Sequence, residues 1–264
     1  MTPPLPSRDR EEAVHIHRER AYYDELYSGF AQQHFAKPAV TAFRRDLVRR
    51  IVARTGIKPP ARVLSLGCGI GDAELLLAQH AGEIVGIDLS PKAIEYASGQ
   101  AGRAGAANLR FIAGEWQSVL SGSQPFDAVL AIFFLHHLPD ADLAAIPKQL
   151  LRILRPGGMV YALEPSERRL SERVGKLLFP ALMRRYQTED ERALDGSRVA
   201  ASFRQAGFEA QPAWFDFGSL PMAGLCPGSP ALYRLARGID QALIRIPGLN
   251  RWSNAFELLA RAPA

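Results

Sequence analysis

The amino-acid sequence predicts an α/β fold, in which helices cover both faces of a mostly parallel β-sheet. After residue 60, short apolar runs alternate with stretches of helical periodicity, and their spacing leaves room for a crossover helix between consecutive strands. The length of 264 residues and a hydrophobic content of 47% are sufficient for one large domain with a full core.

Seven apolar runs are predicted as strands. They are residues 62–66, 83–87, 109–113, 127–133, 159–163, 208–217 and 255–261. Helical periodicity predicts helices between the first five of them, at 73–80, 91–104 and 143–154. A further helix begins at Asp195 or Ser197, either of which can cap its first turn, and ends at Gly207.

A helical pattern precedes the first strand. From residue 11 to about residue 56, apolar residues recur mostly at intervals of three to five, and Lys58-Pro59-Pro60 ends the region. We therefore divide the chain into an N-terminal helical cap, residues 1–60, and a sheet domain, residues 61–264. Two stretches interrupt the sheet domain, at about 165–189 and, before the last strand, at 218–253.

Composition excludes several classes of protein. Two cysteines, Cys68 and Cys226, are too few for a disulfide framework or a structural zinc site, and Cys68 is expected to be a small buried filler. No apolar run is long enough to span a membrane, and no secretory signal pattern is visible, so we expect a cytoplasmic protein. No ligand spacing for a metal ion is found near the strand ends.

The net charge of +5 leaves two interpretations open. The excess comes from arginines scattered along the chain, without interleaved aromatic residues, so no nucleic-acid partner is expected. The arginines can belong to solvated helix faces, or they can face a lipid surface or an anionic substrate. Peripheral contact with a membrane therefore stays open, as does the oligomeric state.

The strand at 62–66 runs directly into Gly67-Cys68-Gly69-Ile70-Gly71 and then into a helix. Glycines let the backbone turn tightly and approach a ligand, and the helix N-terminus offers free N–H groups. The spacing is G-x-G-x-G, whereas dinucleotide-binding dehydrogenases carry G-x-G-x-x-G. This difference counts against a nicotinamide cofactor.

Acidic residues follow the next two strands. Asp88 ends the second strand, where a carboxylate can bind both hydroxyls of a ribose, and Glu115 follows the third. Because the carboxyl ends of parallel strands share one edge of a sheet, the glycine-rich turn, Asp88 and Glu115 are expected to converge on one crevice.

With these pieces in place, the sequence resembles the class I S-adenosylmethionine-dependent methyltransferases, most closely those of ubiquinone and menaquinone biosynthesis and other small-molecule methyltransferases. The resemblance covers about residues 61–163. It rests on residues 63–72, 86–90, 111–116, 126–138 (FDAVLAIFFLHHL) and 151–163 (LRILRPGGMVYAL). It implies a Rossmann-like fold with a seven-stranded sheet, S-adenosylmethionine as cofactor and S-adenosylhomocysteine as product.

The resemblance also implies roles for individual residues. The backbone of Gly67, Cys68 and Gly69 would pass beneath the methionine part of the cofactor. The cofactor would also contact Asp88 (ribose), Leu89 (adenine), Glu115 and Trp116 (adenine edge), and Ile132 and Phe133 (beside the sulfonium). Glu115 stands where the family usually has Asp. Arg155-Pro156-Gly157-Gly158 corresponds to a structural turn into the fifth strand.

Four more residues are candidates for the site. His136 follows the fourth strand and Glu164 ends the fifth, so both are candidates for acid–base catalysis, needed only if the acceptor arrives protonated. His136 and the adjacent His137 have an alternative role as structural hydrogen-bonding residues, and Glu164 as a helix-capping or solvated carboxylate. Tyr23 and Tyr27 precede the core on a helix that would cover the cofactor, or would simply pack on the domain.

The acceptor is expected to be a hydrophobic small molecule, methylated at O, C or N. The apolar residues of 218–253, together with 165–189 and the first helices, would form part of its site, although 218–253 can equally be a helical insertion packed on the sheet. An inactive cofactor-binding partner protein and a nicotinamide-dependent oxidoreductase are the alternative functions.

Overall fold

The structure, a computed structural model, describes residues 20–25, 27, 30–120, 124–169 and 192–264. Its strands are β1 (Arg62–Leu66), β2 (Glu83–Asp88), β3 (Leu109–Ala113), β4 (Phe126–Ile132), β5 (Leu154–Pro165), β6 (Glu209–Asp216) and β7 (Ala255–Arg261). Its α-helices are α1 (Phe30–Phe35), α2 (Pro38–Thr55), α3 (Asp72–Leu77), α4 (Pro91–Ala104), α5 (Asp140–Leu151), α6 (Gly196–Gln205), α7 (Ser219–Leu225) and α8 (Pro230–Leu243).

All seven strands form one sheet in the order β3-β2-β1-β4-β5-β7-β6. Neighbouring strands from β3 to β5 are parallel, and β7 is antiparallel to both β5 and β6. The predicted seven-stranded, mostly parallel sheet is confirmed. Because β1 pairs with β2 on one side and β4 on the other, successive crossovers leave β1 in opposite directions, which opens a crevice at the carboxyl ends of these strands.

Helices bury both faces of the central strands. Alternate side chains of β5 enter different cores: Val160 packs in the core beneath α5 and α6, and Tyr161 in the core beneath α2, α7 and α8. β1 and β4 alternate in the same way. This arrangement explains why these strands are nearly continuous apolar runs in the sequence, as strands buried on both faces are.

Local signals set several helix boundaries where the sequence places them. The Ser90 hydroxyl accepts the Ala93 N–H at 3.1 Å, Pro91 occupies the first turn, and Gly105 ends α4 with φ of 66°. Asp195 caps α6 in the same way. Side-chain capping at the start and a left-handed residue at the end satisfy backbone groups that the helix itself leaves unpaired.

Several boundaries differ from prediction, and two of the differences have a clear local cause. β5 begins at Leu154, so the predicted turn at residues 155–158 lies inside the strand as an irregularity. Phe126 of β4 pairs with Leu154 of β5, and Ala128, two residues later in β4, pairs with Met159. β5 therefore has extra, unpaired residues in this interval, and one of them, Gly157, has φ of 72°. α5 begins at Asp140 rather than residue 143, because Pro139 has extended backbone angles and acidic residues favour a first helical turn.

The structure describes the predicted cap and insertions in part. Residues 1–19 and 170–191 lie outside the described residues, so most of the 165–189 stretch does too. The division at residue 60 stays a prediction; α2 contributes Phe43, Leu47 and Ile51 to the core beneath the sheet. The 218–253 stretch forms α7 and α8, and no described helix is long and apolar enough to cross a membrane.

Candidate functional site

A cavity of about 470 Å³ opens at the carboxyl ends of β1, β2 and β4, where the strand order of the sheet reverses. The glycine-rich turn after β1 and the segments that follow β2, β3 and β4 line it from the sheet side. Residues of α1, α2 and α7 line it from the helical side. It is the crevice that parallel topology creates.

The glycines of the turn after β1 have conformations and surroundings that exclude a side chain. Gly67 and Gly69 have φ of 63° and 51°, in the left-handed region that other residues rarely adopt. A Cβ on Gly67 would lie 2.7 Å from a ring carbon of Phe134, and one on Gly69 would lie 2.7 Å from the Tyr27 hydroxyl. Backbone rather than side chains therefore faces the cavity at this turn.

Cys68 lies inside the turn and is almost fully buried. Its N–H donates to the Ile87 carbonyl at 3.1 Å, which ties the turn to β2. Burial, followed by the nearby carboxylates of Glu74 and Asp88, raises the pKa of its thiol well above the usual value. A thiol that stays protonated is a poor nucleophile, so this environment suits the filler role predicted for Cys68.

Asp88 links the end of β2 to the glycine-rich turn. Its Oδ2 accepts the Gly69 N–H at 2.8 Å and its Oδ1 accepts the Ser90 N–H at 2.9 Å. Burial raises the pKa of this carboxyl above its ordinary value, although the two N–H donors act in the opposite direction. Each oxygen keeps a further lone pair, so the carboxylate can also accept two hydroxyl groups from a molecule in the cavity.

The residues predicted for an adenine lie along one wall. Leu89, Glu115 and Trp116 all line the cavity. The Glu115 side chain is exposed, whereas Trp116 is buried, with its ring edge-to-face with Phe134 at 6.5 Å between centroids. This wall thus offers apolar surface and one carboxylate at its open side.

The structure corrects the prediction for Glu164, which is fully buried and does not line the cavity. Its Oε1 accepts the N–H groups of Phe134 and Leu135, at 3.0 and 2.7 Å. These bonds hold the chain after β4, where Phe133 has φ of 54°, unusual for a residue with a side chain. Glu164 therefore acts on the cavity through the backbone and side chains it binds.

One of these side chains is His136, which does line the cavity. Its Nδ1 lies 2.7 Å from Oε2 of Glu164. Because Nδ1 is bound to the buried carboxylate, Nε2 is the ring nitrogen that this bond leaves for another partner. A carboxylate at Nδ1 favours the tautomer with the proton on Nδ1, which leaves a lone pair on Nε2.

The helical residues 20–25 and Tyr27 cover the cavity from the N-terminal side. The Tyr23 hydroxyl lies 2.9 Å from Nε2 of His137, and the Ser90 hydroxyl donates to Asp24 at 2.5 Å. Tyr27 stacks on Tyr23 with 5.8 Å between ring centroids. This segment therefore connects the loops that follow β2 and β4 across the cavity.

Three charged residues at or beside the start of α3 were missed by sequence reasoning: Arg44, Asp72 and Glu74. Nε of Arg44 on α2 donates to Asp72 at 2.7 Å, and both residues line the cavity. Glu74 also lines it and is buried, accepting the Ser65 hydroxyl at 2.5 Å. The sequence does carry a signal for Glu74: a carboxylate on the apolar side of the helix that follows a glycine-rich turn indicates a residue of the site. No local signal links Arg44 to residues 28 positions away.

Segments that were expected to contribute to the acceptor site form an apolar wall of the cavity. It is formed by side chains from α1, α2 and α7: Phe35, Val40, Phe43, Leu220 and Ala223. Their spacing is that of ordinary core positions, and the sequence does not distinguish a helix that packs on a sheet from one that also borders a cavity.

Twelve of the thirteen predicted site residues line the same cavity, all but Glu164. Lining the cavity does not by itself assign them roles, which stay predictions. In the described part of the chain, His, Cys, Asp and Glu side chains form no group of three that could hold a metal ion.

Comparisons with known proteins identify the type of domain. The family described as the methyltransferase domain matches residues 63–158. An uncharacterized methyltransferase of Synechocystis sp. is 32% identical over 155 residues, which are 58% of this chain and 68% of that protein. The demethylmenaquinone methyltransferase of Geobacillus kaustophilus is 28% identical over 241 residues, 81% of this chain and 97% of the relative.

A solved structure shares the fold. The magnesium protoporphyrin IX methyltransferase of Synechocystis, crystallised with bound S-adenosylhomocysteine, aligns with a TM-score of 0.63 over 92% of this chain and 97% of its own. The two sequences are 14% identical, so this likeness concerns the fold.

Glu74 makes stability depend on pH in a defined direction. Burial raises its pKa from the usual 4.5 to about 7. Between these values the folded protein binds a proton more tightly than the unfolded chain, so the free energy of unfolding falls as pH rises and levels off above about pH 7. We expect Glu74→Gln to be more stable than the wild type by about 2 kcal/mol near pH 8, with no advantage near pH 4.

Urea unfolding of both proteins at the two pH values measures this difference. Asp216, whose pKa burial also raises to about 7, is present in both proteins, so its contribution cancels. An equal stability difference at both pH values would contradict the assignment to Glu74.

Proposed function

The chain belongs to the class I S-adenosylmethionine-dependent methyltransferases, and from that premise we propose that it methylates a hydroxyl group of a hydrophobic small molecule. One observation carries the proposal: a single cavity is lined by the glycine-rich turn, Asp88, an apolar wall and His136. Residues suited to the cofactor, to an apolar acceptor and to proton uptake therefore line one cavity.

The residues of the cavity fit the adenosyl half of the cofactor. Asp88 has free acceptor positions for two ribose hydroxyls, and its existing bonds hold it beside the glycine-rich turn. Leu89 and Trp116 provide apolar surface for the adenine ring. Glu115 provides an acceptor for the adenine amino group at the open side of the cavity.

The methionine half needs a cation for its carboxylate and a surface without side chains. The glycine-rich turn supplies the surface, since a Cβ there would clash with Phe134 or Tyr27. Arg44 lines the cavity and binds Asp72 through Nε, which leaves its terminal guanidinium nitrogens available for a carboxylate. We assign Arg44 this role.

When bound, S-adenosylmethionine supplies a methyl group on a positively charged sulfur, already activated for transfer. The protein's own tasks are to position the acceptor, to keep water out and to take up the acceptor's proton. Phe133 and Phe134 line the cavity beside the turn, and helical residues 20–25 close it from the other side. These groups exclude water from the space around the turn.

The apolar wall defines the class of acceptor. Phe35, Val40, Phe43, Leu220 and Ala223 present hydrocarbon to the cavity from α1, α2 and α7. Burying apolar surface contributes about 25 cal/mol per Å², so an acceptor with an alkyl, aryl or prenyl group gains affinity there. The methyltransferase relative from Geobacillus, whose name indicates a menaquinone precursor, accords with an acceptor of this kind.

His136 is suited to remove the proton of a hydroxyl acceptor. Glu164 fixes its ring through the bond to Nδ1 and stabilises the imidazolium that forms when Nε2 takes up a proton. Glu164 itself is a positioning residue, because it is buried away from the cavity. A histidine oriented by a carboxylate is the arrangement that general-base catalysis requires.

Cofactor binding is tested with Asp88→Ala. We expect the Kd for S-adenosylhomocysteine to rise by at least about tenfold, because the variant loses a charge-assisted contact. Isothermal titration calorimetry measures the Kd, with NAD as the comparison ligand. Asp142→Ala is the matched control: it removes a carboxylate that lines the same cavity from α5, and its Kd should stay within about threefold of the wild type. An unchanged Kd for folded Asp88→Ala would sink the ribose assignment.

The acceptor class is tested with methyl-labelled S-adenosylmethionine and a panel of phenols and quinols that carry alkyl or prenyl chains. We expect labelled methyl ethers, detected by mass spectrometry, to form from the long-chain compounds in preference to their short-chain analogues. Acceptors whose hydroxyl is already blocked serve as the matched control. Labelling of the blocked compounds, or of peptides alone, would refute methylation at a hydroxyl.

The role of His136 is tested with His136→Ala and the best acceptor of that panel. We expect kcat to fall by about 10²- to 10⁴-fold, the usual contribution of a general base, and the Kd for S-adenosylhomocysteine to stay within about threefold. The wild-type rate should fall at acidic pH, and the variant should lose this dependence. A wild-type pH profile in the variant would assign the base elsewhere.

A further inference from the structure

The outer side of α8 and the chain around it carry a row of exposed apolar side chains, here called the apolar face: Leu225, Leu232, Leu235, Ile239 and Ile246. Leu235 is 64% exposed and Ile239 is 53% exposed. Steps of three and four residues place Leu232, Leu235 and Ile239 on one side of α8, and Ile246 follows the end of the helix. A solvated helix normally presents polar residues there.

Among the described residues, core packing accounts for the opposite side of α8 and not for the apolar face. Tyr233, Arg237 and Asp240 are buried on the inner side. Arg237 donates to the Phe215 carbonyl at 2.6 Å, and Asp240 accepts the N–H groups of Gly218 and Ser219, at 3.0 and 2.9 Å. These bonds fix the helix with its apolar face turned outward.

The exposed charges of the 218–253 stretch have one sign. Arg234, Arg245 and Arg251 are exposed, whereas Asp240, the single acidic residue in the sequence from 218 to 253, is buried. Arg234 lies on α8 beside Leu235, and Arg245 precedes Ile246 just after the helix ends. The acidic residue of α2 that contacts α8, Asp46, accepts the hydroxyl of the buried Tyr233 at 2.8 Å, on the inner side of the helix.

We propose that the apolar face binds the surface of an anionic lipid bilayer. Leucine and isoleucine side chains would enter the boundary between headgroups and acyl chains, and the flanking arginines would pair with lipid phosphates. A second copy of the chain is a poorer partner, because a symmetric dimer places the same patch on both sides and would oppose the arginines of the 218–253 stretch, whose single acidic residue is buried.

The apolar face lies beside the cavity, so membrane binding would bring the acceptor site close to the bilayer. This part of the inference rests on the proposed function. α7 lines the cavity through Leu220, Ala223 and Gly224, and the next residue, Leu225, belongs to the apolar face. A bilayer against this face would lie next to a wall of the acceptor site. An acceptor dissolved in the membrane would then reach the cavity without crossing bulk water.

Co-sedimentation with vesicles tests the proposal without cofactor or acceptor, so it can fail independently of the proposed function. We expect the full chain to bind vesicles of equimolar phosphatidylcholine and phosphatidylglycerol, to bind pure phosphatidylcholine weakly, and to be released by high salt. Leu235→Glu with Ile239→Glu should lower the partition coefficient by at least about tenfold. Arg234→Gln with Arg245→Gln should lower it selectively on anionic vesicles.

The matched control is Ser98→Glu with Gln205→Glu. It adds the same two negative charges at exposed positions on α4 and α6, away from the apolar face, and should bind as the wild type does. Circular dichroism verifies the fold of each variant. Absence of wild-type binding to anionic vesicles, or wild-type binding by both face variants, would overturn the proposal. So would a dimer in sedimentation velocity that Leu235→Glu with Ile239→Glu dissociates, since the face would then join two copies.

Discussion

The buried carboxylate of Glu164 is the constraint on which the arrangement of the cavity depends. A charged group without water must be surrounded by donors, and here the donors are the Phe134 and Leu135 N–H groups and the ring of His136. Meeting this demand requires the chain to leave β4 sharply, through the positive φ of Phe133. The same bonds thus hold the chain that lines the cavity beside the glycine-rich turn and orient the ring of His136. One carboxylate therefore fixes both the local backbone and the orientation of the proposed base.

Sequence reasoning predicted the sheet, and the convergence of the glycine-rich turn, Asp88 and Glu115 on one crevice, because their signals are local. Strands buried on both faces are apolar runs, and the glycine-rich turn, Asp88 and the Ser90 cap each stand within a few residues of the strand end that they serve. Parallel topology then brings strand ends together without further information. The start of β5 and its register were not predicted, because an irregularity at Gly157 lies inside the strand where the sequence indicated a turn.

The rest of the site depends on pairings between distant parts of the chain. Arg44 contacts Asp72, Tyr23 contacts His137, and Leu220 of α7 packs against the core that includes α2, although the partners are far apart in the sequence. Each partner alone has the pattern of an ordinary surface or core residue. Glu164 was predicted to face the cavity because it lies at a strand end. Its carboxylate is instead buried, where it accepts N–H groups of the loop after β4.

The apolar character of α7 and α8 follows from two separate demands. Toward the sheet, Tyr233 and Ala223 fill a core, which any helix in this position needs. Toward the outside, no packing within the described part of the chain accounts for Leu235 or Ile239, and keeping large apolar side chains in water is unfavourable. The exposed charges of the 218–253 stretch are all arginines, so the proposed partner is both apolar and anionic. A hydrophobic acceptor would dissolve in the same bilayer, so the apolar character of α7 and α8 would serve both membrane binding and entry of the acceptor.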